Sequence, residues 1–310
     1  MLECVGSPVP ERVSLREALG RILAVDVESS DQVPGFDNSS MDGFAVRARD
    51  VGGASAEQPA SLLVVDESRA GRPAARAVGD GEAIAISTGA VIPEGADAVV
   101  RVEDTGALDG RVEIREAIPA GNNMRHAGDD IESGVTVLRR GATLGAAELG
   151  VIASVGVGEV SCARRPRLAV LTTGDELLEP GEAQRPGGVR DANAYTIPAL
   201  TLAAGGDLTA IETVPDEPGL TRTAIERTLG GELAVICGGV SVGEHDHVKR
   251  ALASLGVDEV FWKVALKPGK PTWFGVAPGG TLVFGLPGNP VSAMVTFLLF
   301  VRPAIRAMLG

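Results

Sequence analysis

The sequence predicts a multidomain α/β protein: a parallel-sheet domain joined to an inserted, mostly β domain and a small linking domain. Three observations carry this expectation. At 310 residues the chain exceeds what one hydrophobic core usually holds. From 166 to 310, short Val/Ile/Leu-rich runs ending in glycine-rich turns alternate with helical segments. Between 60 and 118 the helical period disappears, and strand-length runs are separated by Gly, Pro and Asp. The expected division is a linking domain in two segments, 1–30 and 126–165, an inserted β domain at 31–125, and an α/β domain at 166–310.

Residues 13–24, VSLREALGRILA, place apolar side chains at helical spacing. Ser14 as N-cap and Glu17 as its capping-box partner complete the signature of a short amphipathic helix. The turn-rich DQVPGFDNSSMDGFAV (31–46) sets Asp37 to Asp42 between Phe36 and Phe44, and it reads as a connection or as a polar loop held by apolar anchors. SLLVVDE, EAIAIST, DAVVRVE and RVEIREA are predicted strands. Thr88 closes the second of these, where its hydroxyl and amide either serve an anion or stabilise the turn. GNNMRHAGDD is a polar loop in which His126, Asp129 and Asp130 are metal-ligating types at a spacing that fixes no geometry. An extended segment, a helix near 145–154 and the strand-like GEVSCARRP complete the linking part.

The third region reads as strand 167–172, helix near 193–204, strand 207–214, helix 216–229, strand 233–238, helix near 245–254 and strand 260–266. A hairpin-like pair at 271–276 and 281–285 follows, then a last helix from Pro290. Apolar character on both sides of the central strands predicts a mostly parallel sheet between helical layers. Such a sheet binds ligands beyond the carboxyl ends of its strands.

The turns there carry the candidate chemistry. LTTGDEL offers Thr173, Gly174, Asp175 and Glu176, and Asp216 follows the next strand. GGVSVGEHDHVK supplies Gly239 and Gly243 for close backbone approach, Ser241 as a donor and Asp246 as a cap or cation ligand. ALKPGKP gathers Lys267 and Lys270 near Lys263, mobile point charges suited to an oxyanion. In GLPGNP, Asn289 is an N-cap and Pro290 a first-turn residue, leaving capping and anion binding both open. Acids and lysines converging at one sheet edge point to a phosphorylated, nitrogen-rich ligand supported by Mg²⁺; Glu176, with Asp175, either reaches the ion through water or accepts from the ligand's N–H groups, and Asp246 either caps amides or holds the ion.

A formal net charge of −13 argues against a nucleic-acid surface. Cys4, Cys162 and Cys237 share no CxxC spacing and read as buried free thiols in a reducing compartment. No continuous apolar run of membrane-spanning length and no signal-peptide pattern is visible, so the expected location is the cytoplasm, without membrane contact.

FDNSSMDGFAV (36–46), ISTGAVIPEGADAVV (86–100), TTGDEL (172–177), GGVSVGEHD (238–246), FWKVALKPGKP (261–271) and GLPGNPVSA (285–293) resemble, in order, the signature segments of the MoeA family of molybdopterin molybdenumtransferases. Eukaryotic relatives of that family include the catalytic domain of gephyrin. The resemblance covers nearly the whole chain. It implies a MoaB/MogA-like fold for the α/β domain and an active cleft lined by Asp42, Thr88, Glu176, Asp216, Asp246, Lys263 and Lys267. Pro287 and Pro290 match the family's loop prolines around Gly288.

The implied reaction takes adenylated molybdopterin and molybdate, and with Mg²⁺ releases AMP while molybdenum passes to the dithiolene. The implied assembly is a homodimer sharing its active site, with transient contact to the molybdopterin adenylyltransferase and to molybdoenzyme-maturation proteins. The family's chains continue into a C-terminal β-barrel, which this sequence, ending at Gly310, is expected to lack. A molybdopterin-binding module and a tungsten-handling paralogue are the alternative readings.

Overall fold

The structure is a computed structural model that describes residues 1–240 and 247–310, apart from the side chains of Ala107 and Leu108. The chain divides into two compact units. One comprises Val27–Leu138 with Gly150–Gly158; the other comprises Met1–Asp26, Arg139–Leu149 and Glu159–Gly310.

The Val27–Leu138 unit is built on a six-stranded sheet of Gly43–Val46 (β1), Ala60–Ser68 (β2), Glu82–Ile86 (β3), Ala98–Arg101 (β4), Thr105–Leu108 (β5) and Arg111–Ile114 (β6). The order is β4-β1-β3-β2-β6-β5, antiparallel except for the β2–β3 pair. The 31–46 segment is therefore more than a connection. Its end is strand β1, with Ala45 and Val46 fully buried, and Asn38–Ser39 pairs with Met124–Arg125.

The expected helix at 13–24 is absent. Pro10–Ser14 is a strand paired antiparallel with Glu159–Ala163, Leu15–Glu17 is a single 3-10 turn, and Ile22 and Leu23 bridge to Thr143 and Cys162. Ser14 Oγ donates to Glu17 Oε2 at 2.7 Å, yet it caps no backbone amide. Gly20 turns with φ 73°, and pairing with a distant strand outweighs the local helical period.

The larger unit holds Ala146–Ser154 (α1) in part and a second six-stranded sheet. Its strands are Arg167–Thr173 (β7), Asp207–Val214 (β8), Leu233–Cys237 (β9), Asp258–Trp262 (β10), Trp273–Val276 (β11) and Leu282–Leu286 (β12). The order is β8-β7-β9-β12-β11-β10, and only β11 runs against the rest. The helices are Asn193–Ala204 (α2), Pro218–Thr228 (α3), His247–Ser254 (α4), Pro290–Thr296 (α5) and Arg302–Met308 (α6), the last two joined by the π-turn Phe297–Val301.

Successive strand residues point to opposite faces. Leu168, Val170, Val235 and Phe284 pack with Ile197, Phe297, Val301 and Ile305 on one face; Leu171, Ala234, Ile236 and Val283 pack with Ile225, Val248 and Leu252 on the other. Sequence and structure agree on a sheet between helical layers. Strand 260–266 is corrected: the ladder ends at Trp262, because Lys263 adopts a left-handed backbone at φ 65°.

Pro290–Met308 is continuous over 19 residues with mean hydropathy 1.5, long and apolar enough to cross a membrane by length and composition. Sequence inspection missed this because Arg302 and Arg306 interrupt the run. Phe297, Val301, Ala304 and Ile305 are fully buried, the stripe of a core helix.

Phe284 is fully buried, with its ring 4.9 Å from that of Phe274. Phe284→Ala should therefore lower the unfolding free energy by about 3–5 kcal/mol in urea titration. Cys4 is exposed, correcting its expected burial, while burial raises the Cys162 thiol and pushes that of Cys237 far above the ordinary range. A thiol reagent should label one cysteine in the native protein and three after unfolding.

Candidate functional site

Strand register sets the site. Thr172 of β7 lies opposite Thr213 of β8 and Cys237 of β9, and Cys237 lies opposite Leu286 of β12. One residue earlier, Gly285 faces Trp273, which faces Trp262 at the end of β10. The segments 215–216, 173–176, 238–239, 287–290 and 263–270 therefore start at the same end of the sheet, in that order across it, with antiparallel β11 between the last two.

The turns after β7 and β8 are tied together. Thr173 Oγ1 donates to Asp216 Oδ1 at 2.6 Å, and the Asp216 amide donates to Asp175 Oδ1 at 3.1 Å. Asp216 Oδ2 has no hydrogen bond among the described residues. Glu176 folds back over Gly174, where a Cβ would lie 2.5 Å from its Oε2. At Gly239 the space of a side chain is already taken by Val248 Cγ2, so this glycine serves packing of the strand end.

The segment after β10 closes on itself: the Lys263 amide donates to the Thr272 carbonyl and the Val264 amide to the Lys270 carbonyl, each at 3.0 Å. Gly269, with φ 116°, seats this loop on the last helix, where any Cβ would meet Thr296 Cγ2 at 2.5 Å. Lys263, Lys267 and Lys270 are exposed, and among the described residues none forms an ion pair.

In the segment after β12, Asn289 Oδ1 accepts from the amides of Val291 and Ser292 at 3.1 and 3.2 Å. The capping reading of Asn289 holds, with Pro290 in the first turn and Pro287 buried behind it.

Two residues of this edge were missed by sequence reasoning. Asp191 is 2 % exposed; it accepts from the hydroxyls of Thr172 and Thr213 and, at 3.0 Å, from the Ala194 amide. It thereby ties β7 and β8 to the start of α2. Asn193 Nδ2 donates to the Gly288 carbonyl at 2.8 Å, fixing the 287–290 turn from behind. The available signal was the DAN triplet before a helix, a capping pattern.

In the Val27–Leu138 unit, Asp42 and Thr88 form a pair of their own. The Thr88 amide donates to Asp42 Oδ1 at 2.8 Å, so the hydroxyl is the group Thr88 retains for a ligand. The Ala127 amide, and after it His126, holds the Asp37 carboxyl below its usual range. Asp129 accepts from the His126 amide and Asp130 pairs with Arg125, so the polar loop is spent on itself. Among the described residues no group of three or more His, Cys, Asp and Glu is arranged to hold a metal. Ser241, Gly243 and Asp246 lie outside the described residues.

Removing the Asp191 carboxylate orphans two hydroxyls and an amide. Asp191→Ala should cost about 3 kcal/mol in urea unfolding, and Asp191→Asn, which keeps an acceptor, clearly less.

Comparison with known proteins finds relatives along nearly the whole chain. The family described as the MoeA N-terminal region (domain I and II) matches residues 1–156, and the probable molybdopterin binding domain matches residues 169–307. The molybdopterin molybdenumtransferase of Haemophilus influenzae is 40% identical over 313 residues, spanning 100% of this chain and 76% of that protein. Molybdopterin molybdenumtransferase 2 of Mycobacterium tuberculosis is 38% identical over 309 residues, spanning 97% of this chain and 76% of that protein. The crystal structure of the molybdopterin biosynthesis MoeA protein of Pyrococcus horikoshii matches with TM-score 0.87 at 34% identity, covering 100% of this chain and 78% of that one. The chain belongs to the MoeA family of molybdopterin molybdenumtransferases.

Proposed function

We propose that this protein inserts molybdenum from molybdate into adenylated molybdopterin with release of AMP. The observation that supports it best is the carboxyl end of one sheet, along which the turns carrying Asp216 and Glu176, the 238–239 and 287–290 turns and the lysine loop 263–270 follow one another in that order. Lys263, Lys267 and Lys270 hold the phosphates and the incoming oxyanion as point charges. Asp216, oriented by Thr173, and Glu176 accept hydrogen bonds from the pterin or its water. Asn289 and Asn193 keep the 287–290 turn rigid beneath the ligand. No cysteine is needed as nucleophile, because the substrate brings its own sulfurs.

The donor set fits Mg²⁺. The acids at this edge are hard oxygen ligands, too few for a cage of protein alone, and Mg²⁺ characteristically takes one or two carboxylates and completes its shell with substrate phosphate and water. Glu176 and Asp246 are the carboxylates assigned to it. Held there by those carboxylates, it would offset charge on the phosphates.

In this reading Asp42 and Thr88 complete the cleft from a second subunit of a homodimer. An apolar face supports pairing. Tyr195 and Leu202 on α2, and Val291, Met294 and Leu299 on the neighbouring last helix, are all exposed. Three unpaired thiols suit a cytoplasmic location. Contact with the adenylyltransferase that delivers the substrate belongs to the same proposal.

The test supplies adenylated molybdopterin, Mg²⁺ and molybdate to the purified protein and measures AMP release together with molybdenum on the dithiolene. Both products are expected; ligand binding with neither would favour the binding-module reading, and tungstate replacing molybdate would favour the paralogue. Lys267→Ala should lower kcat/KM by roughly a hundredfold with the far-UV spectrum unchanged.

A further inference from the structure

All four lysines of the chain, Lys249, Lys263, Lys267 and Lys270, lie between positions 249 and 270, and every other basic side chain except the three histidines is an arginine. Lysine is thus confined to one place, although a surface ion pair elsewhere would accept either residue. Lys267 and Lys270 belong to the loop already described. Lys249, on α4, has been given no part.

The indole of Trp262 joins it to the site. Lys249 Nζ lies 3.3 Å from the Trp262 ring centroid, and Lys263 Nζ lies 4.1 Å from it. The two ammonium nitrogens are therefore no further apart than the sum of those distances. A tetrahedral oxyanion accepting hydrogen bonds of about 2.8 Å on two of its oxygens bridges such a span.

The ring itself is held. Trp262 Nε1 donates to the Val240 carbonyl at 3.0 Å, its flank packs on the core formed by Val240, Val248 and Leu252, and its backbone pairs with Trp273 across the ladder. Lys263, next in sequence, takes a left-handed backbone at φ 65°, an unusual conformation for a side chain other than Gly or Asn. Two like charges repel. The fixed indole offsets part of that repulsion and limits their separation before any ligand arrives.

We propose that Trp262 is the positioning residue of a two-lysine clamp, Lys249 and Lys263, that binds one tetrahedral oxyanion at the carboxyl edge of the sheet. The proposal rests on the function above for the identity of the anion, a substrate phosphate or molybdate, which share this shape and charge.

The experiment titrates the full chain calorimetrically with sodium phosphate and, separately, with sodium molybdate, and follows AMP release in parallel. Lys249→Met and Trp262→Leu should each weaken the better-bound anion about fivefold, and the double variant little more than either single one, since each removes the same paired arrangement. Trp262→Phe, which keeps an aromatic face, should stay within about twofold of the wild type. The tighter anion says whether the clamp holds the phosphate or the incoming oxyanion.

The clamp is refuted if the wild type binds neither anion, if Lys249→Met or Trp262→Phe/Lys249→Met binds like the wild type, or if the two losses simply add. Should Trp262→Leu fail to fold, the test rests on Lys249→Met alone, expected about fivefold weaker, against Trp262→Phe, expected within about twofold of the wild type. Coupled anion binding without AMP release would leave the clamp standing and overturn the functional reading instead.

Discussion

Burial of both faces of one sheet is the constraint on which the rest of the larger unit depends. Leu168, Val170 and Leu171 of β7, all of β9 but Cys237, and Val283, Phe284 and Leu286 of β12 have no exposed surface, because helices cover each side. A strand so enclosed has no lateral position at which a polar group meets water, and an unpaired polar atom there would cost more than most single interactions return. Polar chemistry is driven to the strand ends. Four strands paired in parallel, and β10 beyond the antiparallel β11, then bring five such ends to one end of the sheet, where each loop adds its own side chains.

Charge follows the same logic. The chain carries −13 overall, so an anionic substrate meets a repulsive average field and needs a local inversion of it. The lysine loop after β10 provides that inversion, and its shape is enforced by Gly269 against Thr296 and by closure of 263 and 264 onto 272 and 270. The buried Asp191 contributes nothing to ligand charge; it fastens β7, β8 and α2 so that the turns in front of it do not drift. Rigid support behind and mobile cations in front is the division of labour an oxyanion site requires.

Much of this was legible in the sequence where local and tertiary preferences coincide. The continuous apolar runs 167–172 and 233–238 have no strand alternative that leaves them half exposed, and the helix 193–204 ends at Gly205, whose φ of 97° makes it a left-handed cap. The misreading of 13–24 arose where the two preferences part. Val13, Leu15, Ala18, Ile22 and Leu23 satisfy a helical spacing equally well as a strand, one tight turn and two isolated bridges. Pairing of 10–14 with 159–163, far downstream in the chain, leaves no local trace. The early end of β10 is a backbone choice at Lys263 that no side-chain periodicity encodes. Asp191 and Asn193 were invisible as site residues because their partners, Thr172, Thr213 and Gly288, are contributed by three separate strands or their turns.

Diffraction at the molybdenum absorption edge from crystals of the protein grown with AMP, Mg²⁺ and molybdate tests the central claim most directly. The account predicts an anomalous peak within hydrogen-bonding distance of the ammonium groups at 263–270, at the carboxyl end of the sheet on the side of β12 and β10. A fully occupied peak at any other surface, with that edge empty, would contradict it.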